Sequence, residues 1–377
     1  MIMKNKSPDF YLFAIVIILL SIGICMVFSS SFITADKWYG DSYYFLKKQI
    51  IYAIISLLVL IISMNINYQY YKKISIPFLI LSILLLVLVF VPGIGRSAGG
   101  AIRWIKLGFF SFQPSEIAKF ALILYMAEFM ARKDVKDLKT FAKGILPSLI
   151  IIGTIFILIL MEPDFSTALI IIGISFVMLF IGGTRIIQLF ALAASAVPVG
   201  MLILLREEYR IKRLLAFLDP WKDPLDSGFH VIQSLLALGS GGIFGIGLAE
   251  SRQKFFYLPD QHTDFIFSII GEELGLIGTI SVIVLFALLL WRGYRIAVHS
   301  IDDFGCLLAA GITFVIVFQS MINIGVVTKM LPTTGITLPF ISSGGTSLIV
   351  NMFCIGVLLN ISKFRSREFT KSQIGAE

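Results

Sequence analysis

The hydrophobic pattern of this chain is a series of long uncharged stretches separated by short clusters of charged residues. The uncharged stretches cover residues 10–35, 49–71, 74–95, 144–161, 165–184, 186–205, 304–328 and 330–362. A transmembrane α-helix needs about 20 apolar residues. Two further predicted helices, at about 114–130 and 264–290, carry a few charges, and the helix in the last stretch begins near Thr346. The pattern therefore predicts an all-α polytopic membrane protein with about ten transmembrane helices.

The segment 228–249 is also uncharged and long enough to suggest an eleventh span. It contains five glycines within residues 239–247, and its first half carries His230, Gln233 and Ser234. We interpret residues 231–238 as a short helix that lies at the outer interface or re-enters it, followed by a glycine hinge. Residues of about 206–263 then form one large external loop between helices 7 and 8, where function tends to collect.

The distribution of basic residues predicts the orientation. With the N-terminus inside, the inner side receives sixteen Lys and Arg residues, and the short outer loops receive seven. This asymmetry favours a cytoplasmic N-terminus and a short cytoplasmic tail at about 363–377. Residues 10–28 follow Lys4 and Lys6, as in a signal peptide, but the uncharged run is too long for one. We expect it to be the first retained helix.

Composition excludes an ordinary soluble domain. Hydrophobic residues make up 58% of the chain and charged residues 14%, and the mean hydropathy is +0.93. Soluble domains carry about 25% charged residues. No linker or repeat divides the 377 residues, so we expect a single membrane domain over 1–377. Basic cytoplasmic loops and lipid head groups account for the net charge of +8 without any nucleic acid. The three cysteines lie in apolar runs, and we expect small buried hydrophobic residues there.

Common enzyme signatures are missing from the sequence. There is no phosphate-binding GxxxxGK[ST] loop and no HExxH, and the three histidines are far apart. Three groups of residues remain as candidates for chemistry.

The first group is Arg103 and Trp104 with Glu116 and Lys119. Pro114 suits the first turn of a helix, and Glu116 suits its positive end. Glu116 and Lys119 are three residues apart and share a helix face. They form either a structural ion pair or part of a polar cavity, and the sequence leaves both open.

The second group is basic and lies in the predicted external loop, against the general asymmetry of charge. It comprises Arg206, Arg210, Lys212 and Arg213, followed after the glycines by Arg252 and Lys254. Such a cluster predicts an anionic partner at the level of the outer head groups, above all a phosphate. Ordinary lipid phosphates are the alternative.

The third group surrounds Asp264, where a polar loop turns into an apolar helix. A half-buried carboxylate at this border should have a raised pKa, which suits a general base. Asp264 or the preceding Thr263 could equally cap the helix, and composition alone favours the cap.

These same residues carry a resemblance to a known family. The runs are RWI…FQPSEIAK (103–119), YRIKR (209–213), SRQKFFYLPDQHTDFIF (251–267) and TGITLPFISSGG (334–345). They resemble the SEDS family of shape, elongation, division and sporulation proteins (FtsW, RodA and SpoVE), and the FtsW/SpoVE branch most. The resemblance covers residues 8–362. Ser343 departs from the pattern, because the family usually has Tyr there.

The resemblance implies ten helices and a peptidoglycan glycosyltransferase that polymerises lipid II at the outer face of the bacterial cell membrane. Asp264 matches the family's catalytic aspartate, which takes the proton of the attacking hydroxyl. The substrate-binding residues would be Arg103, Trp104, Glu116, Lys119, Arg210, Arg213, Arg252, Lys254, His262 and Thr263. The family also implies a class B penicillin-binding protein, a transpeptidase, as partner, together with other division proteins at a division or sporulation septum. Whether a divalent cation, Mg²⁺ or Mn²⁺, bridges the pyrophosphate stays open.

Two other functions compete with the enzyme. A lipid II flippase would use Glu116 and Lys119 within the membrane, but transporters place such sites near the midplane and often show a repeat. A non-catalytic scaffold for division proteins would leave Asp264 and the basic cluster unexplained.

Overall fold

Long apolar helices form the scaffold of the protein in the computed structural model, which describes residues 7–98, 101–107, 110–133, 138–205, 207–226, 228–254 and 261–364. The predicted cytoplasmic tail beyond residue 364, Arg206 and the aromatic run at 255–260 lie outside the described residues.

Twelve α-helices are found in this described part of the chain. They are α1 (Phe10–Tyr39), α2 (Tyr44–Asn65), α3 (Tyr68–Leu88), α4 (Pro114–Arg132), α5 (Leu146–Met161), α6 (Phe165–Ile181), α7 (Ile186–Leu205), α8 (Glu208–Leu218), α9 (Phe229–Ser240), α10 (Ile266–Val298), α11 (Asp303–Val327) and α12 (Gly345–Ser362). Seven of the helices described are long and apolar enough to cross a membrane: α1, α2, α3, α5 with its preceding turn, α10, α11 and α12. The chain is therefore a polytopic helical membrane protein, as predicted. The count of ten, which adds α4, α6 and α7, stays a prediction.

The second and third helices begin earlier than their uncharged stretches do. α2 starts at Tyr44 and α3 at Tyr68, rather than at residues 49 and 74. Asn67 caps α3 by accepting a hydrogen bond from the Gln69 amide at 3.0 Å. Lysines within the first turns can extend their long side chains to the interface, so a charge does not end a helix there.

A small antiparallel sheet, absent from the all-α prediction, lies between α3 and α4. Its strands are β1 (Gly95–Ala98), β2 (Ala101–Leu107) and β3 (Phe110–Phe112), in the order β1-β2-β3. Arg96 pairs with Trp104 across β1 and β2, and Ile105 pairs with Phe112 across β2 and β3. The sheet brings β2, with Arg103 and Trp104, to one end of the helix bundle.

Hydrogen bonds at the other end of the bundle hold the two ends of the described chain together. The Asp9 amide donates to Ser362 Oγ at 3.0 Å, and Arg292 donates to the Asp9 carboxylate. The Tyr68 amide donates to Asn360 Oδ1 at 2.9 Å. The start of α1 and the end of α12 therefore share one end of the bundle.

The predicted short helix and glycine hinge form a docked unit. α9 has 12 residues, so it is about 18 Å long and too short to cross a bilayer. The glycine segment after it meets a break in α10 at Gly275, whose φ is 66° and ψ is −160°. The Leu276 amide donates to the Gly242 carbonyl at 2.9 Å, and the Ile246 amide donates to the Glu272 carbonyl at 3.0 Å. The segment thus satisfies backbone groups that the break in α10 exposes.

Candidate active site

A cavity of about 400 Å³ opens at the end of the bundle opposite to Asp9 and Ser362. Six of the eleven predicted site residues line it: Arg103, Trp104, Glu116, Lys119, Thr263 and Asp264. They come from β2, from the first turns of α4 and from the turn before α10. The structure therefore joins the first and third groups of the sequence analysis in one place.

The α4 wall of the cavity carries a buried ion pair. Pro114 opens the helix, and Glu116 and Lys119 are 6% and 5% exposed. The Lys119 ammonium donates to Glu116 Oε1 at 2.8 Å and to Gln319 Oε1 at 2.7 Å. Glu116 Oε2 has no hydrogen-bond partner among the described residues. The pair is thus both an ion pair and a part of the cavity wall, so the two alternatives left open by the sequence coexist.

The turn between α5 and α6 forms a second wall. Arg103 Nε donates to the Glu162 carbonyl at 3.0 Å, and its Nη2 donates to the Pro163 carbonyl. Asp164 caps α6 by accepting from the Thr167 amide at 3.1 Å and from Thr167 Oγ1 at 2.8 Å. Asp164 and Thr167 line the cavity but were not predicted as site residues. The Asp-x-x-Thr capping pattern at the start of an apolar run could have drawn attention to them.

Glu162, in the same turn, is fully buried, and neither of its carboxylate oxygens has a hydrogen-bond partner in the part of the chain that the structure describes. Burial and, to a smaller extent, the nearby Asp164 charge raise the pKa of Glu162, Arg103 partly opposes them, and the net pKa is about 8. An ordinary exposed glutamate has a pKa near 4.5. Glu162 is therefore largely protonated at neutral pH.

Asp264 lies in the turn that precedes α10, and its side chain lines the cavity. α10 begins at Ile266 with Phe265 as its N-cap residue, which makes no side-chain capping bond. Phe265, rather than Asp264 or Thr263, therefore occupies the N-cap position. A Cβ placed on Gly335 would lie 3.5 Å from Asp264 Oδ2, so the carboxylate faces the irregular segment before α12.

Hydrogen bonds to the backbone carbonyls of His262 and Thr263 hold the turn around Asp264. The Ser343 amide donates to the His262 carbonyl at 2.9 Å, and Ser342 Oγ donates to the Thr263 carbonyl at 2.5 Å. The ring of His262 packs against Phe45 at 4.5 Å between centroids and does not line the cavity. His262 thus supports the turn in this structure, whereas the sequence placed it among the substrate-binding residues.

Arg210 and Arg213 lie near the cavity without lining it. Both are on α8, and Arg210 stacks over the ring of Phe165, the residue after Asp164, at 5.4 Å. The exposed Arg213 donates to the Thr333 carbonyl at 3.4 Å, two residues before the cavity-lining Gly335. These contacts place both guanidinium groups beside cavity-forming segments.

Arg252 and Lys254 are not brought to this cavity. Lys254 is 2% exposed, its ammonium donates to the Ala249 carbonyl, and it lies 3.9 Å from Glu273 Oε1. Arg252 is exposed, and its backbone amide donates to Glu272 Oε1 at 2.9 Å. Lys254 therefore has a buried partner in Glu273, and its contact with phosphate stays a prediction.

No group of three or more His, Cys, Asp or Glu side chains able to hold a metal ion occurs among the described residues. The cavity carboxylates of Glu116 and Asp164 already accept hydrogen bonds from Lys119 and Thr167. A divalent cation that bridges the pyrophosphate therefore stays a prediction. The chemistry proposed below uses no metal.

Comparison with known proteins places the chain in a family. The family model described as "Cell cycle protein", which covers FtsW, RodA and SpoVE, matches residues 10–367. The chain is 45% identical to the stage V sporulation protein E of Bacillus subtilis over 361 residues, which are 96% of this chain and 98% of that protein. It is 44% identical to the "Probable peptidoglycan glycosyltransferase FtsW" of Geobacter sp. (strain M18), covering 95% of this chain and 98% of that protein.

Solved structures have the same fold. A chain from work on "structural coordination of polymerization and crosslinking by a peptidoglycan synthase complex" is 30% identical, with a TM-score of 0.78, and the match covers 96% of this chain and 99% of that one. The rod shape determining protein RodA of Thermus thermophilus is 27% identical, with a TM-score of 0.69 and the same coverage. The resemblance seen in the sequence is thereby confirmed, and this chain belongs to the FtsW/RodA/SpoVE family of cell cycle proteins.

Proposed function

We propose that this chain is a peptidoglycan glycosyltransferase that polymerises lipid II at the outer face of the bacterial cell membrane. The observation that carries the proposal is the cavity that brings Asp264 together with Arg103, Trp104 and Lys119 at one end of the bundle. Relatives 44% identical over 94–95% of the chain bear the name of this activity. The charge asymmetry of the loops supports an outward orientation for this end.

In the proposed reaction, the C4 hydroxyl of an acceptor sugar attacks the anomeric carbon of a lipid-linked donor. The new C–O bond forms as the bond from the anomeric carbon to the pyrophosphate oxygen breaks, and that oxygen leaves with the electron pair. Asp264 takes the hydroxyl proton as general base. Its carboxylate is the one that the irregular turn before α10 delivers into the cavity.

Cations stabilise the negative charge that grows on the pyrophosphate. Lys119 and Arg103 are in the cavity wall, and Arg210 and Arg213 lie on α8 beside the segments that form it. In a site of low dielectric constant, such preorganised charges act more strongly than they would in water. Arg252 stays a candidate for this role because its side chain is exposed.

A class B penicillin-binding protein is the proposed partner, with a division or sporulation septum as the proposed location. The structural relative with a TM-score of 0.78 belongs to a peptidoglycan synthase complex. A transpeptidase in such a complex would cross-link the strands that this chain polymerises.

The proposal is tested by incubating the purified chain with lipid II, with and without that transpeptidase, and separating the glycan products by length. Asn is close to Asp in shape but cannot take up the proton, so Asp264→Asn should lower the rate by ~10²–10⁴-fold. Asp226→Asn, which alters an exposed carboxylate in the same large loop, serves as the control and should remain active. Polymerisation at the normal rate by Asp264→Asn would show that Asp264 is not the general base.

The flippase alternative receives no support from the geometry. Glu116 and Lys119 lie in the first turns of α4 at the end of the bundle that holds the cavity, whereas a transporter site is expected near the midplane. A wild-type chain that moves labelled lipid II across vesicles without making glycan would favour the flippase.

A further inference from the structure

Two buried amide side chains, Gln319 and Asn323, lie one turn apart on the same face of α11. They are 2% and 1% exposed, inside a mostly apolar helix. Burying an amide costs free energy unless its hydrogen bonds are made. Their partners therefore indicate what these two residues do.

Asn323 joins two irregular segments of the cavity wall. Its Nδ2 donates to the Asp264 carbonyl at 2.8 Å and to the Ile336 carbonyl at 2.7 Å. An amide nitrogen carries two N–H donors, so these two bonds use both of them. The first carbonyl belongs to the proposed general base, and the second lies next to Gly335, which Asp264 Oδ2 faces.

Gln319 makes the corresponding connection one turn earlier. Its Oε1 accepts from the Lys119 ammonium at 2.7 Å, and its Nε2 donates to the Thr337 carbonyl at 3.0 Å. Since Lys119 also binds Glu116 Oε1 at 2.8 Å, the ammonium is held from two sides. The same irregular segment, at residues 336–337, thus accepts a bond from each amide.

We infer that Asn323 and Gln319 are positioning residues: Asn323 sets the place of the Asp264 carboxylate, and Gln319 sets the place of the Lys119 ammonium. The inference rests on the proposed transferase function. Neither Asp264 nor residues 332–338 belong to a helix or strand, so regular backbone hydrogen bonds do not hold them. α11 is the rigid element. Its two amide side chains fix the positions of Asp264 and Lys119 relative to the cavity wall at residues 335–337.

The consequence for catalysis follows from the sensitivity of rate to geometry. Misplacing a reacting group by about 1 Å can cost ~10²-fold in rate. Neither amide is proposed to touch the transferred proton. Their loss should therefore lower kcat far more than it raises KM.

Asn323→Asp tests this by replacing the two N–H donors with an oxygen that faces two carbonyl oxygens. We expect kcat on lipid II per folded molecule to fall ~10–100-fold, with KM changed less than about threefold. Burial and the two facing carbonyl oxygens should keep the new carboxyl protonated, so it can donate to only one of the two carbonyl groups. Gln319→Met, which keeps the length of the side chain without its hydrogen bonds, provides a second variant and should also lower kcat.

The matched control is Asn360→Asp at the opposite end of the bundle. Asn360 is 3% exposed, and it bonds the Tyr68 amide at 2.9 Å and the Met64 carbonyl at 2.8 Å. This variant should lose thermal stability but keep the kcat per folded molecule. If Asn323→Asp and Gln319→Met behave like Asn360→Asp, the positioning role is wrong.

A readout independent of activity separates this inference from the proposed function. Amide hydrogen exchange of residues 261–265 and 332–344 should become faster in Asn323→Asp and stay unchanged in Asn360→Asp. If the wild-type protein makes no glycan but exchange is still faster in Asn323→Asp, the positioning role is supported and the transferase proposal fails. Unchanged exchange in Asn323→Asp would overturn the positioning role.

Discussion

Single residues in this protein often have roles that depend on which neighbours the fold provides. Asp264 is a residue type that often caps helices, yet α10 begins two residues after it and its side chain lines the cavity. Lys254 belongs by sequence to a phosphate-binding cluster, yet its ammonium is buried beside Glu273. In both cases another segment decides what the side chain faces: the segment before α12 for Asp264, and Glu273 of α10 for Lys254.

Glu162 leads to a prediction about pH. Its native pKa is raised to about 8, above the 4.5 of an exposed glutamate, so the folded state binds more protons than the unfolded state between these values. The free energy of unfolding should therefore fall as pH rises from 4.5 to about 8. The glutamine side chain of Glu162→Gln cannot ionise, so this variant should not show that pH-dependent decrease in the free energy of unfolding.

Thermal unfolding in detergent at pH 5, 6.5 and 8 measures the effect. The melting temperature of Glu162→Gln relative to the wild type should increase with pH. Glu250→Gln, an exposed control, should follow the wild type at each pH. Parallel curves for Glu162→Gln and the wild type would show that Glu162 ionises normally.

Lys254 and Glu273 lead to a second prediction. Glu273 also accepts a hydrogen bond from Ser29 at 2.6 Å, so Lys254→Met should leave a buried carboxylate without its cation. Breaking a buried pair in this way costs roughly 3 kcal/mol of unfolding free energy, and the double variant Lys254→Met/Glu273→Gln should recover much of it.

Lipid II kinetics distinguish this structural role from phosphate binding. The double variant should keep the wild-type KM, whereas Arg213→Glu, on the exposed side of α8, should raise KM without lowering the melting temperature. An increased KM in a stable double variant would show that Lys254 takes part in substrate binding.

At the scale of elements, the break in α10 depends on a glycine at position 275. Gly275 adopts a left-handed φ of 66°, and a Cβ there would overlap the backbone of Gly245 and Ile243. Both the dihedral angle and the close approach require glycine. The docked glycine segment leads into residues 249–254.

Gly275→Ala should therefore lower the thermal stability and the amount of folded protein. Gly239→Ala is the control, because Gly239 is on α9, a Cβ there would meet nothing within 4 Å, and Ala favours a helix by up to ~1 kcal/mol. Melting temperatures of the two variants in detergent provide the comparison. Equal stability in Gly275→Ala and the wild type would mean that the break is not required.

At the scale of the whole molecule, the two ends of the helix bundle differ in kind. At one end, hydrogen bonds around Asp9, Tyr68 and Asn360 connect the termini of different helices. The other end carries the sheet, the short helices and the cavity. The excess of basic residues on the first end predicts that it faces the cytoplasm.

Cysteine labelling tests this orientation. In a background without Cys25, Cys306 and Cys354, single cysteines at Lys222 and Glu250 should both react with an impermeant reagent added outside. Arg185, exposed between α6 and α7, should react only after permeabilisation. Labelling at Lys222 but not at Glu250 would mean that the segment between them crosses the membrane.

The sequence by itself determined the class of the protein and most of its helices. Charge-free runs of about 20 residues leave few alternatives to a membrane span, because lipid provides no hydrogen bonds to an unfolded backbone. The same reasoning identified α9 as too short and too glycine-bounded to cross. It also identified both segments that carry Glu116, Lys119 and Asp264.

Only the tertiary structure decided which of these residues lie together in the cavity. Gln319 and Asn323 look like ordinary polar residues of a span, and their role depends on carbonyl groups that the chain brings from other irregular segments. Periodicity describes one helix at a time, whereas a cavity is formed where several helix ends meet. Lys254 and Lys119 are both basic residues beside family motifs, and what separates them is the bundle, which buries one ammonium beside Glu273 and opens the other to the cavity.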